Sequence, residues 1–583
     1  MKHLGYGWVG VVFLSGMVAG CGGSSDDGRP GESLSQYQWH LKNTGQTAFS
    51  TLQGLAGMDL NVEPIFREGV VGKGVNVLVL DDGIDIKHVD LAGNVAASML
   101  YNFDPNAANA LDPTPPPADG HGTAVAGLIA ATSIKNSGVR GVAPGVRLGG
   151  ARYIGIDSRY SRVVDKFDAY GGAPFSRYAD VFNASFAKSP TVPLDFLPGV
   201  TVESLVIEGL ERLRDAKGAI FVQAAGNEYR ANENDAAVCA RSREVGISCS
   251  NANLDPDRTM PQVITVGALN AFGVRSSYST AGSNLLVSAF GGEYGGPTGP
   301  AIVTTDLMGC DRGSTRRGVP PKPLNDFDDP DSKIGKALNP SCNYTSTFNG
   351  TSAAAPMVSG VVALMLGVNP NLTWRDVRFI LMKTARRVDA QRKPIEVSLS
   401  SGEKYIPEPA WTRNAAGLWF DNQYGFGLVD ATQAVRMAKS YNTYLKGRMA
   451  STGEDLTYEA PQDGEGLSVP IGTATGVDIP LSYQKTRVGR IEAVQLTMSM
   501  NDASMRDLAV ELISPAGTRS VLMNAYNVFS EKPTKVEMFT LASNAFNEES
   551  ASGTWKLRLI DTNSRRGSQP ARLKGALLRV YGH

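Results

Sequence analysis

Histidine and cysteine are both scarce, with five of each in 583 residues. No C-x-x-C pair occurs, so a cysteine-based zinc site has no foothold in the spacing. Net charge is missing too: 56 Lys and Arg against 57 Asp and Glu leave -1. The basic residues are scattered and no aromatic-basic stripe forms, so no electrostatic case exists for a nucleic-acid partner. The apolar run from Leu4 to Gly20, about 17 residues, is short for a spanning helix. Charged residues make up only 19% and hydrophobic residues 42%, a globular balance rather than a disordered one. The length exceeds one core, and two or more domains are expected. Gly (64) and Pro (32) are plentiful, which suits a loop-rich fold.

The first residues read as an export signal. Lys2 precedes the apolar run, which ends at Val18-Ala19-Gly20-Cys21. That ending resembles a bacterial lipobox, which implies that Cys21 takes lipid and becomes the mature N-terminus; an ordinary signal peptide is the alternative. Gly22 to Arg29 then reads as a flexible tether to the membrane. Gly22 after the cysteine resembles the outer-membrane sorting pattern of Gram-negative cells. The expected location is the cell envelope or surface. The other four cysteines, Cys239, Cys249, Cys310 and Cys342, allow three pairings, and export makes disulfides expected. Nearest-neighbour pairing would close two local loops.

From Gly74 to about Val435 short apolar runs alternate with helical ones. Val75 to Leu80, Gly218 to Gln223 and Gln262 to Gly267 read as strands of a parallel sheet covered on both faces. Sites in such sheets lie beyond the carboxyl ends of the strands, where Asp81 and Asn227 fall. His121 opens a small-residue helix after a Pro- and Asp-rich loop. Phe348-Asn349-Gly350-Thr351-Ser352-Ala353-Ala354-Ala355-Pro356 runs into an uncharged apolar helix and sets the Ser352 hydroxyl at a helix N-terminus, where unpaired N–H groups favour an oxyanion. Pro356 allows an early kink. Alone, Ser352 would read as an N-cap, and His121 as structural.

Together they do not. The order Asp, His, Ser, each in its own motif, resembles the subtilisin-like serine peptidases through Asp81-Asp82-Gly83-Ile84-Asp85, His121-Gly122-Thr123, Ala225-Gly226-Asn227 and Gly350-Thr351-Ser352-Ala353. Tyr424 to Ala431 is similar to that family's closing segment. Gln38-Trp39-His40-Leu41, His88-Val89-Asp90-Leu91, Thr304 to Leu307 and Leu372 to Val377 resemble the kexin/furin branch. The resemblance implies an exported serine endopeptidase acting on protein or peptide substrates. Ser352 would be the nucleophile, His121 the base, Asp81 its partner (Asp82 the runner-up) and Asn227 an oxyanion donor. It further implies a structural Ca²⁺ held by Glu32, Asp90 and the loop that contains Ser137, Val139 and Gly141.

Specificity is divided. Asp82 and Asp119 match acidic positions that read a basic P2 residue in that branch. Ser185 and Phe186 belong to the expected S1 wall, Ala184 to Ser189. There Lys188 stands where the branch it resembles carries negative charge; elsewhere, Thr280 stands where an acidic ligand of that branch's second calcium site would be expected. The room between Cys21 and Trp39 is too short for a folding propeptide, which implies a separate helper protein or unassisted folding. Asp311 to Ser341 is a polar, Pro-rich insertion.

Beyond a polar linker, 441–464, the period changes to two, as in Val494, Leu496, Met498 and Met500. Short strands with Gly/Pro turns mean an antiparallel sandwich. Asp507-Leu508, Ser514 to Thr518 and Gly553-Thr554-Trp555 resemble the P domain of proprotein convertases. The expected architecture is α/β: a subtilisin-like parallel sheet flanked by helices, followed by an all-β sandwich. Its parts are a signal (1–21), a tether and wrap-around segment (22–73), a catalytic domain (74–440), the linker and a P domain (465–583). Two rival readings are a binding or adhesion protein on a peptidase scaffold, and an esterase or amidase using the same triad.

Overall fold

The computed structural model describes residues 33–133, 138–156, 163–230, 237–318, 325–445, 448–461, 466–485, 487–563, 565 and 568–583. Short, largely apolar runs build a central sheet of seven parallel strands. These are β1 (Asn76–Asp81), β2 (Val95–Asn102), β3 (Arg147–Arg152), β4 (Val181–Ala184), β5 (Ile220–Ala224), β6 (Val263–Leu269) and β7 (Leu285–Phe290), in the order β2-β3-β1-β4-β5-β6-β7. β4 to β7 are buried at every position, as strands covered on both faces must be. A two-stranded antiparallel ribbon, β8 (Ile302–Thr305) and β9 (Tyr344–Phe348), leads into the serine segment.

Helix α1 (His121–Ala130) packs beside helix α2 (Thr351–Val368) under the sheet. Both are small-residue helices with almost no exposed surface, so they can approach the strands closely. α2 is long and apolar enough to cross a membrane by composition, but it forms the core of this domain, 89% buried. It runs through Pro356 without a break. Helix α4 (Ala431–Ser440) packs on α2, and helix α3 (Trp374–Thr384) packs against α4 and β7, opening with a capping box between Thr373 and Asp376.

The C-terminal part is a sandwich of two antiparallel sheets. One sets β11 (Ile491–Ala503) between β14 (Thr534–Ser543) and β16 (Arg572–Gly582). The other runs β10 (Val477–Tyr483), β15 (Gly553–Asp561), β12 (Leu508–Ile513), β13 (Arg519–Met523). Val494, Leu496, Met498 and Met500 all point to buried positions. This unit begins earlier than residue 465: Ala450–Ser451 and Thr457–Glu459 already pair with β16, and Leu456 is fully buried in the sandwich core. The cysteines pair as neighbours, Cys239–Cys249 and Cys310–Cys342, with Cα atoms 5.5 and 5.0 Å apart.

The seam between the two parts is largely a set of side-chain amides on backbone carbonyls. Asn253 donates to Leu522 O and Ala542 O and accepts from Ala542 N. Asn544 donates to Asn284 O and Leu285 O, and Asn414 to Ala545 O and Asn547 O. An Arg375–Glu492 pair, with Nε 2.9 Å from Oε2, closes one edge.

Candidate active site

Each site side chain is delivered by an element end. Asp81 is the last residue of β1 and His121 the first of α1, and Asp81 Oδ1 accepts the His121 Nδ1 proton at 2.7 Å. The same oxygen takes the Asp82 N–H at 2.8 Å; Oδ2 is buried with no hydrogen-bond partner among the described residues. Ser352 is the second residue of α2 and 7% exposed. Its hydroxyl donates to Ser185 O at 3.0 Å, so a hydrogen bond to His121 requires a side-chain rotation.

A buried polar chain fixes this serine. Ser359 Oγ donates to Asn183 Oδ1 (2.8 Å), Asn183 Nδ2 to Ser185 Oγ (3.0 Å), and Ser185 Oγ to Ser352 O (3.0 Å). It ties α2 to β4. Asn183 and Ser359 were not singled out in sequence, although each is a lone polar group inside an apolar element, and such groups find partners when buried.

Asn227 is aimed by Thr351. Its Oδ1 accepts from Thr351 N (2.9 Å) and Thr351 Oγ1 (3.0 Å), which leaves the Nδ2 donor turned outward. Gly350 has φ 98°, and a Cβ there would stand 3.2 Å from Asn227 Nδ2 and 3.4 Å from Ser352 N. Two N–H donors therefore flank one small space at the start of α2, where an oxyanion is favoured.

Asp82 does not pair with the His121 ring. Its carboxylate caps α1, accepting His121 N (3.0 Å) and Gly122 N (2.7 Å). Burial and the Asp81 charge push it up to about 6 against those bonds. Burial works to lower the His121 ring, but the charge and hydrogen bond of Asp81, with Asp82 behind, lift it to about 9. The ring is 37% exposed, so solvent screens part of this. A general base must be neutral, so with His121 in that role activity is expected to be lost as pH falls through this value. The acidic limb of kcat/KM is expected between 6.5 and about 9; a pH–rate profile with its limb at or below 6.5 contradicts this.

Asp82 and Asp119 come together at a cleft of about 450 Å³ that also touches His121, Asp306 and Phe348. The His121 and Phe348 rings meet edge-on, 5.4 Å apart. Ser185 and Phe186, of the 184–189 wall, are not among the residues lining it: Ser185 lies against Ser352, and Phe186 O accepts Gln223 Nε2 at 3.3 Å. The carboxylates beneath that wall, missed in sequence, are already neutralised: Asp257 pairs with Lys166 at 2.6 Å, and Asp255 accepts Lys188 N and Gln223 Nε2 beside Arg258.

Of the expected calcium ligands, Glu32 and Ser137 lie outside the described residues, as does Cys21. Asp90 is buried and its Oδ2 accepts Val139 N at 3.0 Å. Among the described residues no group of three or more His, Cys, Asp or Glu could hold a metal. A single carboxylate with the carbonyls of Val139 and Gly141 fits such an ion only in part.

Residues 72–427 match the subtilase family model, and residues 491–575 the proprotein convertase P-domain model. The chain is 36% identical to the Aeromonas extracellular serine protease of Aeromonas sobria, over 94% of this chain and 90% of that protein. It is 27% identical to neuroendocrine convertase 2 of Bos taurus, over 91% of this chain and 70% of that one. The crystal structure of the Aeromonas sobria serine protease superposes with a TM-score of 0.83 at 33% identity, covering 98% and 99% of the two chains. The same protease in complex with its chaperone gives 0.82, covering 96% of each.

Proposed function

This chain belongs to the subtilase family of serine-type endopeptidases and carries a proprotein convertase P-domain, and from that premise we propose that it hydrolyses peptide bonds through an acyl-enzyme on Ser352. His121 takes the Ser352 proton as the hydroxyl attacks the scissile carbonyl, then returns it to the departing amine. Asp81 holds the Nδ1–H tautomer and stabilises the imidazolium. Asn227 Nδ2 and Ser352 N–H receive the oxyanion. Water then repeats the sequence on the ester. The observation that carries this reading is the 2.7 Å Asp81–His121 bond beside a serine held at a helix N-terminus opposite an outward-turned amide.

The preference is for a basic P2 residue with a relaxed P1. Asp119 is half-exposed on the cleft beside His121, while Asp82 spends both oxygens on backbone N–H groups, so Asp119 is the carboxylate available to a substrate. The neutralised pairs behind the 184–189 wall leave P1 without a strong demand for charge. Cleavage profiling on a peptide library checks this. Asp119→Asn should reduce the enrichment of Lys and Arg at P2 several-fold; identical P2 profiles for the two proteins, or a strict Arg requirement at P1, would refute it.

Export as an envelope lipoprotein through Cys21, a structural calcium at Asp90, Val139 and Gly141 with Glu32 and Ser137, and a separate folding helper complete the proposal. The last is supported by the chaperone bound to the Aeromonas sobria relative. Calcium would add rigidity there and take no part in the reaction. Mass analysis of the mature N-terminus, and the melting temperature with and without a chelator, test the first two.

A further inference from the structure

Arg258 sits in the turn Pro256–Thr259 ahead of β6 with 2% of its surface exposed. Burying a guanidinium is costly unless its N–H groups are taken up. Its closest carboxylate, Asp255 Oδ2, is 3.8 Å from Nε, too far for a fork pair. The guanidinium is spent on carbonyls instead. Nη1 donates to Ala225 O and, at 3.4 Å, to Ala224 O; Nη2 donates to Lys188 O at 3.0 Å.

Those carbonyls belong to two separate parts of the active site. Ala224 and Ala225 lead directly into Gly226-Asn227, the oxyanion donor. Lys188 closes the wall that begins at Ser185, whose carbonyl holds the Ser352 hydroxyl. Asp255 ties the same two parts again, accepting Lys188 N at 2.8 Å and Gln223 Nε2 at 3.2 Å. On its other side the turn is seated by the C-terminal sandwich: Asn284 Nδ2 donates to Arg258 O, Asn544 Nδ2 to Asn284 O, and Gln495 Nε2 to Thr259 O.

We propose that Arg258 is a positioning residue: its guanidinium, bridging the carbonyls of Ala224, Ala225 and Lys188, sets Asn227 at its working distance from Ser352, and the P domain holds the turn that presents it. A fixed planar fork suits this task, because it donates in two directions at once. Lysine could reach one segment but not bridge both. The proposal rests on the peptidase reading above.

A double-mutant cycle with Asn227 tests it. Displacing a catalytic group by a fraction of an ångström to one ångström costs up to about 10²-fold in rate. Arg258→Met should therefore lose about 10²-fold in kcat and Arg258→Lys about 10-fold, with a smaller change in KM. In the Asn227→Ala background the Arg258→Lys loss should shrink below about threefold, because the two act as one unit. Guanidinium at millimolar concentration should restore part of the activity of Arg258→Ala. Equal losses with and without Asn227, or full activity in Arg258→Lys, would overturn the proposal even if Arg258→Met fails to fold. Amide hydrogen exchange in segments 185–188 and 224–227 should quicken in Arg258→Lys, and this readout needs no turnover; unchanged exchange also overturns it. Quickened exchange in an enzyme whose wild type cleaves nothing would instead fault the peptidase reading.

Discussion

Replacing Ser352 with Ala should lower kcat by about 10⁶-fold, the size of loss seen when a triad nucleophile is removed from a subtilisin. Ser185 Oγ is the nearest second hydroxyl in the chain of bonds, but it is buried between Asn183 Nδ2 and Ser352 O. The fold should survive. Ser352 Oγ makes one hydrogen bond, to Ser185 O, whereas the backbone Ser352 O–Ser185 Oγ bond that ties α2 to β4 is untouched by the substitution. Loss of one such bond costs about 1 kcal/mol, a small part of a domain's stability. Turnover by purified Ser352→Ala above a thousandth of wild type would remove Ser352 from the nucleophile role.

Ending the chain after Leu445 should cost both stability and activity. This cut removes the whole sandwich, including the early strands from Ala450 that pair with β16. The seam is not mainly an apolar patch waiting to aggregate. Water can satisfy Asn253 and Ser283 once the sandwich is gone, but it cannot hold their backbone in place. The turn at 256–259 and the segment 283–285 would lose Gln495, Ala542 and Asn544. Leu254, Leu399 and Tyr405, which pack into clusters shared with the sandwich, would be bared. A loss of several kcal/mol from these terms translates to a melting temperature lower by on the order of 10 °C. Activity should fall below about 1% of the full chain through displaced catalytic loops. A truncated protein with unchanged melting temperature and turnover would show that the sandwich is independent of the site.

The proposed triad is legible in the sequence because its members occupy positions with a local signature. A strand that stops at Asp81, a helix that begins at His121 and one that carries Ser352 in its first turn are each visible within ten residues. Asn227 was legible for the same reason. The residues that aim these groups were not. Asn183 and Ser359 meet 176 positions apart, and Asn253 finds Ala542 across 289. An asparagine or arginine in a loop reads as solvated surface until the chain that covers it is in place. Arg258 is the extreme case, an ordinary turn residue by sequence and 2% exposed in the fold. Asp82 has a second task that its motif does not show: it lines the cleft with Asp119, and its carboxylate also caps α1. The domain edge was misplaced because 450–459 is too short and polar for its period to show, although pairing with β16 orders it.

The central claim is that Ser352 is activated by His121 and Asp81. A fluorophosphonate probe, followed by peptide mass mapping, measures this most directly. The account predicts one adduct per folded chain, on Ser352, formed faster as pH rises through the His121 limb and absent in His121→Ala. A folded protein that stays unlabelled, or an adduct on any other serine, would contradict it.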